Sequence, residues 1–248
     1  MVPHAPEWLH EMSRDIPVGL YDAMALLRCT ATVCTASGAV VVSATPDVDH
    51  LHQKRRGGVD GAGASWVTNF GVDHEDIVTE HTSLLLIPEE AMYLAFVLGP
   101  GCLEIRRDAH DGAVVASAEE LLAFYRQPRE DMVRLCLAYA HFLREGYVVK
   151  RGLSFGVHLL LYRGSPEDVH SDYGVWVMGL TSSFGRWHNV KVLTRLMQDV
   201  SKKLVLSSIE QEDGRPYDVA TSTGGCVLRE MVMDTGGWDE DADGSGGG

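Results

Sequence analysis

The alternation of hydrophobic and polar positions is weak over the first 80 residues of the chain. Within this part, "GAVVVSA" (38–44) predicts a strand, and the Gly-rich "QKRRGGVDGAGAS" (53–65) predicts a flexible loop. We therefore treat residues 1–80 as an N-terminal extension that contains a strand and a flexible loop. Its fold does not follow from the pattern.

A clear pattern begins at Ser83. The segment "LLLIPEEAMYLAFVLG" has a proline and two glutamates where a helix would begin, apolar residues at helical spacing, and Gly99 where the helix would end. The next segment, "GCLEIR", predicts a short strand. In "SAEELLAFYRQP", Ser117 and Glu120 have capping-box spacing, which predicts a second helix. Together these elements predict a small N-terminal α/β domain over residues 83–128.

Two longer amphipathic helices are predicted in the rest of the chain. "REDMVRLCLAYAHFLREG" carries one apolar stripe and ends at Gly146. "WHNVKVLTRLMQDV" carries a second stripe. The predicted stripes consist of Met132, Leu135, Tyr139 and Phe142 in the first helix, and of Val190, Leu193, Leu196 and Val200 in the second.

Five short apolar segments around these helices predict strands: "YVVK", "VHLLLYRG", "YGVWVMGL", "KKLVLSSI" and "CVLREMVM". Strands and helices mixed in this way predict an α+β protein, with a C-terminal domain (129–238) built on a central mixed sheet flanked by helices. The final "DEDADGSGGG" (239–248) is acidic and Gly-rich, so we expect a disordered tail.

Size and composition limit the class of protein. The chain has 248 residues, of which 45% are hydrophobic, enough for one large domain or two small ones with a packed core. No apolar run reaches the roughly 18 residues that a transmembrane helix needs, and the start is too polar for a signal peptide. The five cysteines are scattered without a CxxC, which favours a reduced intracellular chain without a membrane segment.

Charge is distributed unevenly along the chain. The net charge is −14, which argues against loose electrostatic binding to nucleic acid. Residues 144–203, however, contain nine Lys and Arg against five Asp and Glu. This basic segment in an acidic chain is compatible either with one focused contact to an anion or with a chance scatter of charges.

The basic segment also holds three candidate catalytic residues. Tyr162 ends the predicted strand 157–162, on the same strand face as His158, and His170 lies on the return toward the next strand. Lys202 and its neighbour Lys203 follow where a helix gives way to a strand. Taken singly, each has an ordinary structural explanation, because rim tyrosines, solvated loop histidines and surface lysine pairs are common.

As a set, the three side chains suit the cleavage of RNA without a metal. That reaction needs a base for the 2′-OH proton, an acid for the 5′-oxygen leaving group and a cation for the charged phosphorane. Histidine suits the role of acid and lysine that of cation. Tyrosine is the awkward member, because its ordinary pKa is about 10 and a nearby cation or an ordered substrate must favour its phenolate.

Several motifs in this region resemble the catalytic subunits of tRNA-splicing endonucleases. They are "FLREGYVVKRGLSFG", "LLLYRGSP", "HSDY" and "LTRLMQDVSKKLVL", which occur in order with matching gaps. The resemblance covers about residues 83–238 and implies a tRNA-intron endonuclease-like fold. It places the catalytic residues of the family on Tyr162, His170 and Lys202, with no metal and no cofactor.

Among family branches, the chain is most similar to the eukaryotic catalytic subunit that cleaves the 5′ splice site. "VLGPGCLEI" and "VLREMVM" followed by a tryptophan support this branch. The resemblance further implies that Arg195 and Trp238 grip an intron nucleotide of a pre-tRNA. It also implies partner subunits, namely a second catalytic subunit and two structural ones, and a nuclear location in a eukaryote or a cytoplasmic one otherwise. The sequence departs from the family at His158, where an acidic residue is usual, and at Phe155, where tyrosine is common.

Other interpretations stay open at this point. One is a non-catalytic scaffold subunit of the same complex, although scaffold subunits lack the three catalytic residues, and another is the subunit that cleaves the 3′ splice site. A metal-dependent nuclease would need paired carboxylates and an acidic-Xaa-Lys step, which residues 144–203 lack. A plain binding module with incidental Tyr, His and Lys is the remaining alternative. The spacing of Cys29 and Cys34 from His50 and His52 matches no zinc pattern.

Overall fold

The computed structural model describes residues 6–14, 29–36, 38–42, 72–75, 82–99, 102–108, 112–166, 168–179, 187–220 and 225–233. The predicted loop 53–65 and the predicted tail 239–248 lie outside these residues. The described part contains two five-stranded sheets with helices between and beside them, so the α+β class is confirmed. None of the helices in the described ranges is long and apolar enough to cross a membrane.

The first sheet is assembled from distant parts of the N-terminal half. Its strand order is β3-β4-β2-β1-β5, with β5 parallel to β1 and the other pairs antiparallel. The strands are β1 (Cys29–Val33), β2 (Val40–Val42), β3 (Val72–Glu75), β4 (Thr82–Leu86) and β5 (Leu103–Arg107).

This sheet changes the domain division that the sequence suggested. We expected residues 1–80 to be an extension separate from the domain at 83–128, with one strand at 38–44. In the structure, β1 lies between β2 and β5 and pairs with both, so the described strands before residue 80 belong to the same sheet as those after it. Within the described residues the expected strand begins at Val40 rather than at Gly38, and β1 and β3 were not predicted.

Short helices precede and follow strands of this sheet in the chain. Helix α1 (Glu7–Met12) lies ahead of it in the chain, and α2 (Pro88–Met92) continues directly into a π-helical turn, Tyr93–Val97. The backbone N–H of Ile87 donates to Glu90 Oε2 at 3.0 Å, which caps the start of α2. Helix α3 (Ala118–Leu122) starts as predicted, since the N–H of Glu120 donates to Ser117 Oγ at 3.2 Å.

Helix α4 (Arg129–Arg144) lies at the centre of the molecule. The predicted stripe of Met132, Leu135, Tyr139 and Phe142 is buried, and so are most residues on the other sides of the helix. The large apolar core around α4 includes residues of both sheets, so this helix joins the N-terminal sheet to the C-terminal one.

The second sheet forms the C-terminal domain. Its order is β10-β9-β8-β7-β6, where only β8 and β9 are parallel, so the sheet is mixed as expected. The strands are β6 (Val148–Arg151), β7 (Leu159–Tyr162), β8 (Tyr173–Val177), β9 (Lys203–Gln211) and β10 (Cys226–Met233). Strand β10 forms an edge of the sheet, and Met231 on it is 60% exposed.

Helix α5 (Trp187–Asp199) connects β8 to β9 and packs on the face of the sheet opposite α4. Its predicted apolar stripe is only half right. Leu193 is buried and Val190 is partly buried, but Leu196 and Val200 are 47% and 40% exposed. Met197 takes the buried position instead, because residues 190, 193 and 197 share one face of a helix with 3.6 residues per turn.

Candidate active site

Three strand ends meet at one edge of the second sheet. Strand β7 ends at Tyr162 and runs antiparallel to β8, while β8 runs parallel to β9, which begins at Lys203. The register pairs Leu161 with Tyr173, and Tyr173 with Lys203. The end of β7 and the beginnings of β8 and β9 therefore lie side by side. This arrangement brings Tyr162, His170 and Lys202 to the same edge.

Hydrogen bonds fasten the three segments to one another at this edge. The N–H of Asp172 donates to the carbonyl of Leu161 at 3.0 Å, and the N–H of Lys203 donates to the carbonyl of Asp172 at 3.0 Å. In addition, Lys202 Nζ donates to the carbonyl of Ser171 at 3.2 Å. The loop that carries His170 is thus tied to the end of the Tyr162 strand on one side and to Lys202 on the other.

The position of Lys202 is set by the way in which α5 ends. The N–H of Lys202 donates to the carbonyl of Met197 at 2.7 Å, and Ser201 between them has φ 57°. This closing bond with a left-handed residue is the usual helix C-terminus, in which glycine is the preferred left-handed residue. Ser201 is the one non-glycine residue with positive φ in the described part of the chain. The backbone at the candidate site thus adopts a conformation that costs energy and occurs mostly where structure elsewhere enforces it.

The two neighbouring lysines differ in their surroundings. Lys202 is partly buried, and its Nζ lies 5.3 Å from the centroid of the Phe155 ring. Lys203 is exposed and begins β9. These contacts favour Lys202 over Lys203 as the lysine that faces the site.

Tyr162 and His170 differ in burial. Tyr162 packs, partly buried, against a small apolar cluster under α5 that includes Leu160, Leu193 and Met197. His170 is exposed. Beside it, Arg163 Nε lies 3.1 Å from Asp172 Oδ2, so an ion pair bridges the two ends of the loop between β7 and β8. The tyrosine is held by packing, whereas the histidine faces solvent, where a substrate can reach it.

His158 lies at the other end of β7 from Tyr162. We expected a strand over 157–162, but the strand begins at Leu159, and Val157 packs in the cluster under α5 with Leu160 rather than on the opposite face. Val157 departs from the strand alternation because it directly follows a turn, in which Gly156 has φ 72°.

The imidazole of His158 is held neutral. The N–H of Val177 donates to His158 Nδ1 at 2.9 Å, and the ring stacks on Trp176 with centroids 4.2 Å apart. Burial lowers the pKa of His158 from 6.5 to about 4, against a smaller opposing effect of Asp131. A neutral ring whose Nδ1 is occupied suits a structural role for His158.

The structure covers only one of the two residues expected to grip a nucleotide. Arg195 is exposed on α5, on the same face of the sheet as Tyr162. Trp238 lies outside the described residues. Within the described ranges, no three His, Cys, Asp or Glu side chains are grouped closely enough to hold a metal ion.

Two features of the site escaped the sequence analysis. One is the contact of Phe155 with Lys202, and the other is the left-handed backbone of Ser201. The "SFG" of residues 154–156 indicates a turn, because it ends in glycine, but it does not show which side chain the phenyl ring meets. Serine is uncommon in the left-handed region, so nothing in the sequence signalled Ser201.

Comparison with known proteins agrees with this geometry. The family model for the tRNA intron endonuclease catalytic C-terminal domain matches residues 132–217, which include Tyr162, His170 and Lys202. A tRNA-splicing endonuclease of Methanopyrus kandleri is 32% identical over 144 residues, which cover 56% of this chain and 76% of the relative.

Sen2 subunits from eukaryotes are also similar. The probable tRNA-splicing endonuclease subunit Sen2 of Oryza sativa is 30% identical over 147 residues, 56% of this chain and 48% of the relative. The subunit Sen2 of Mus musculus is 32% identical over 130 residues, 50% of this chain and 27% of the relative. The chain therefore spans about half or less of the length of these Sen2 relatives. From the matched domain and the archaeal relative, the chain belongs to the tRNA-splicing endonuclease family.

Proposed function

We propose that this chain is a catalytic subunit of a tRNA-splicing endonuclease and cleaves pre-tRNA at an intron boundary. The observation that carries the proposal is the meeting of Tyr162, His170 and Lys202 at one sheet edge. They supply a phenol, an imidazole and an ammonium group on three adjacent segments. Family membership supports RNA as the substrate.

The proposed reaction is a transesterification within the RNA. Tyr162 takes the proton of the 2′-OH, and the 2′-oxygen forms a bond to the adjacent phosphorus. The bond from phosphorus to the 5′-oxygen breaks, and His170 gives its proton to that oxygen. Lys202 stabilises the extra negative charge of the phosphorane. The products are a 2′,3′-cyclic phosphate and a 5′-OH, and the three side chains account for every proton without a metal.

A catalytic role fits the site better than a scaffold role. A scaffold subunit has no need for the three segments to be joined, whereas here the loop of His170 is tied to both other segments. We assign the cleavage to the 5′ splice site, with the subunit for the 3′ splice site as the second candidate. The Sen2 names of several relatives and the branch motifs of the sequence support the first.

We propose further that the chain works in an assembly with a second catalytic subunit and two structural subunits, in the nucleus if the source is a eukaryote. Strand β10 supports the need for partners. It is an edge strand whose Val227, Met231 and Val232 are exposed, and such edges pair readily with another chain. Arg195 and Trp238 would hold an intron nucleotide in that assembly.

The test is cleavage of an intron-containing pre-tRNA by the complex co-purified with its partner subunits, in buffer with EDTA. We expect cuts at the intron boundary alone, with 2′,3′-cyclic phosphate and 5′-OH ends. Contaminating ribonucleases leave the same ends, so a Lys202→Ala complex prepared in parallel is the control and should cut at least about 100-fold more slowly. A strict Mg²⁺ requirement or 5′-phosphate ends would refute the mechanism. Scoring each boundary separately identifies the splice site.

A further inference from the structure

The ammonium group of Lys202 is held by two neutral partners. Its Nζ donates to the backbone carbonyl of Ser171 at 3.2 Å and lies 5.3 Å from the centroid of the Phe155 ring. The second distance is within the range of a cation–π contact, which extends to about 6 Å.

The turn that presents Phe155 is tightly built. Leu153–Phe155 form one 3₁₀ turn between Gly152 and Gly156, with the N–H of Phe155 donating to the carbonyl of Gly152 at 2.9 Å. A Cβ on Gly152 would come within 2.5 Å of Val157 Cγ2, and Gly156 has φ 72°, a conformation that favours glycine. Both ends of the turn therefore depend on glycine.

The turn directs its two apolar side chains differently. Phe155 packs against the cluster under α5, whereas Leu153 is 60% exposed. The phenyl ring is thus anchored from below and meets Lys202, while Leu153 in the same turn does not belong to the cluster.

From this geometry we propose that Phe155 is a positioning residue for the cleavage reaction: its ring holds the Lys202 ammonium at the place where the phosphorane charge develops. This inference rests on the proposed function of the site. A lysine side chain is flexible and carries a compact, strongly hydrated charge, so its effect on a transition state depends on what restrains it.

An aromatic ring is well suited to this restraint. An ammonium group has three donors, and the carbonyl of Ser171 occupies one. The ring attracts the charge through its face, without a directional hydrogen bond, so the remaining donors stay available to the phosphate. Neither of these two partners is anionic, so neither of them neutralises the positive charge of Lys202.

The test compares three variants in the assembled complex, namely Phe155→Leu, Phe155→Tyr and Leu153→Ala. Phe155→Leu keeps an apolar side chain but removes the π face, so we expect kcat to fall about tenfold with KM within about twofold, in the range of a cation–π contact. Phe155→Tyr keeps the ring face and should stay within about threefold of the unsubstituted complex. Leu153→Ala is the matched control, because it shortens an exposed side chain in the same turn, and its kcat should not change.

A second substitution separates positioning from general damage. In a Lys202→Ala background, Phe155→Leu should cause no further loss of kcat, because the group that the ring positions is gone. A ring effect is also visible without turnover. In the full chain labelled with ¹³C-lysine, the Lys202 ε-proton signals should lie upfield in the unsubstituted and Phe155→Tyr proteins and shift downfield in Phe155→Leu.

The possible failures are distinguishable. Equal losses of kcat from Phe155→Leu in both backgrounds, equal losses from the leucine and tyrosine variants, or no loss from Phe155→Leu would overturn the positioning role alone. No cleavage by the unsubstituted complex would overturn the proposed function, and with it this inference. Unchanged Lys202 signals in Phe155→Leu would likewise refute the contact, independently of any cleavage.

Discussion

The two faces of the second sheet are covered very differently. On the α4 face, Leu159, Leu161, Val175, Val177 and Val205 are almost completely buried in the large core that extends to the first sheet. On the α5 face, a small cluster is bordered by Phe155, Tyr162 and Trp176, which are only partly buried.

The two faces therefore contribute to different properties, the α4 face mainly to the stability of the fold and the α5 face to the proposed cleavage. Apolar burial stabilises roughly in proportion to the area removed from water, so the α4 face contributes more of the folding energy. The α5 face leaves aromatic and cationic side chains open to a substrate at the sheet edge, where Tyr162 and Lys202 lie. Substitutions on the two faces should therefore affect different measurements, and four predictions follow from that expectation.

The largest effect is expected for catalysis at the open edge. His170→Ala and Lys202→Ala should each lower kcat by about 10²–10⁴-fold, the usual contribution of an acid–base or electrostatic group, without lowering the melting temperature of the complex. Lys203→Ala is the matched control and should be mild, because Lys203 is exposed. If Lys203→Ala gives the larger loss, the lysine assignment is off by one residue.

Tyr162→Phe should also cleave pre-tRNA slowly. A fully active phenylalanine variant would remove Tyr162 from the mechanism.

On the α4 face, the expected effect is on stability. Leu161 is 1% exposed, so Leu161→Ala should lower the free energy of unfolding by about 2–5 kcal/mol, as for other large-to-small core substitutions. Leu196→Ala, at a position on α5 that is 47% exposed, is the control and should change it by less than about 0.5 kcal/mol. Urea unfolding of the two variants measures both values. Equal destabilisation would mean that Leu196 is buried, as the sequence stripe predicted.

Glu89 gives the α4 side a pH dependence of stability. It is buried on α2, its Oε2 meets no hydrogen-bond partner among the described residues, and burial raises its pKa from 4.5 to about 7. Arg151 opposes that rise and Glu90 adds to it, and Cys136, Tyr139 and Tyr125 also face it. The folded state keeps the proton that the unfolded state loses, so this contribution to stability is full below about pH 4.5 and is lost as the pH rises to about 7.

Glu89→Gln should remove this pH-dependent loss of unfolding free energy, which amounts to roughly 3 kcal/mol at most. Unfolding free energies at several pH values between 4.5 and 8 measure it. The unfolding free energy of the variant, relative to that of the parent chain, should increase as the pH rises. A constant difference between the two proteins across this range would show that Glu89 titrates normally.

His158 should give the α5 side the opposite dependence. Its pKa is lowered to about 4, so below about pH 6.5 the unfolded state binds a proton that the folded state does not yet bind. This contribution to stability is full above pH 6.5 and is lost as the pH falls toward 4. His158→Asn keeps an acceptor for the Val177 N–H, and it should reduce the fall in unfolding free energy between pH 6.5 and pH 4. The size is smaller than for Glu89, because His158 is only partly buried and solvent reduces the effect. The same loss of unfolding free energy at acid pH in the variant would refute the role of His158.

Much of the local structure was predictable because it depends on neighbouring residues. Strand β10 has the predicted bounds, Cys226–Met233, and Ser117 caps α3 as its spacing with Glu120 indicated. The first sheet was not predictable in this way. Its strands β2 and β3 have only three and four residues, and the pairings of β2 with β4 and of β1 with β5 join segments that lie far apart in the chain. A short strand is stabilised by its partners, which no local pattern contains.

The sequence by itself determined the types of the candidate catalytic residues, their order and their place at the ends of elements. Tyr162 ends an apolar strand, His170 precedes the next one, and Lys202 lies between a helix and a strand, and the motifs around them identify the family. Only the tertiary structure decided that these ends meet. That meeting depends on β9 running parallel to β8 after the α5 crossover, and on the register that sets Lys203 opposite Tyr173. The structure likewise decided that Phe155 lies against Lys202 and that Met197, not Leu196, faces the sheet. Contacts between residues far apart in the chain arise from the packing of whole elements, and periodicity within one element does not contain them.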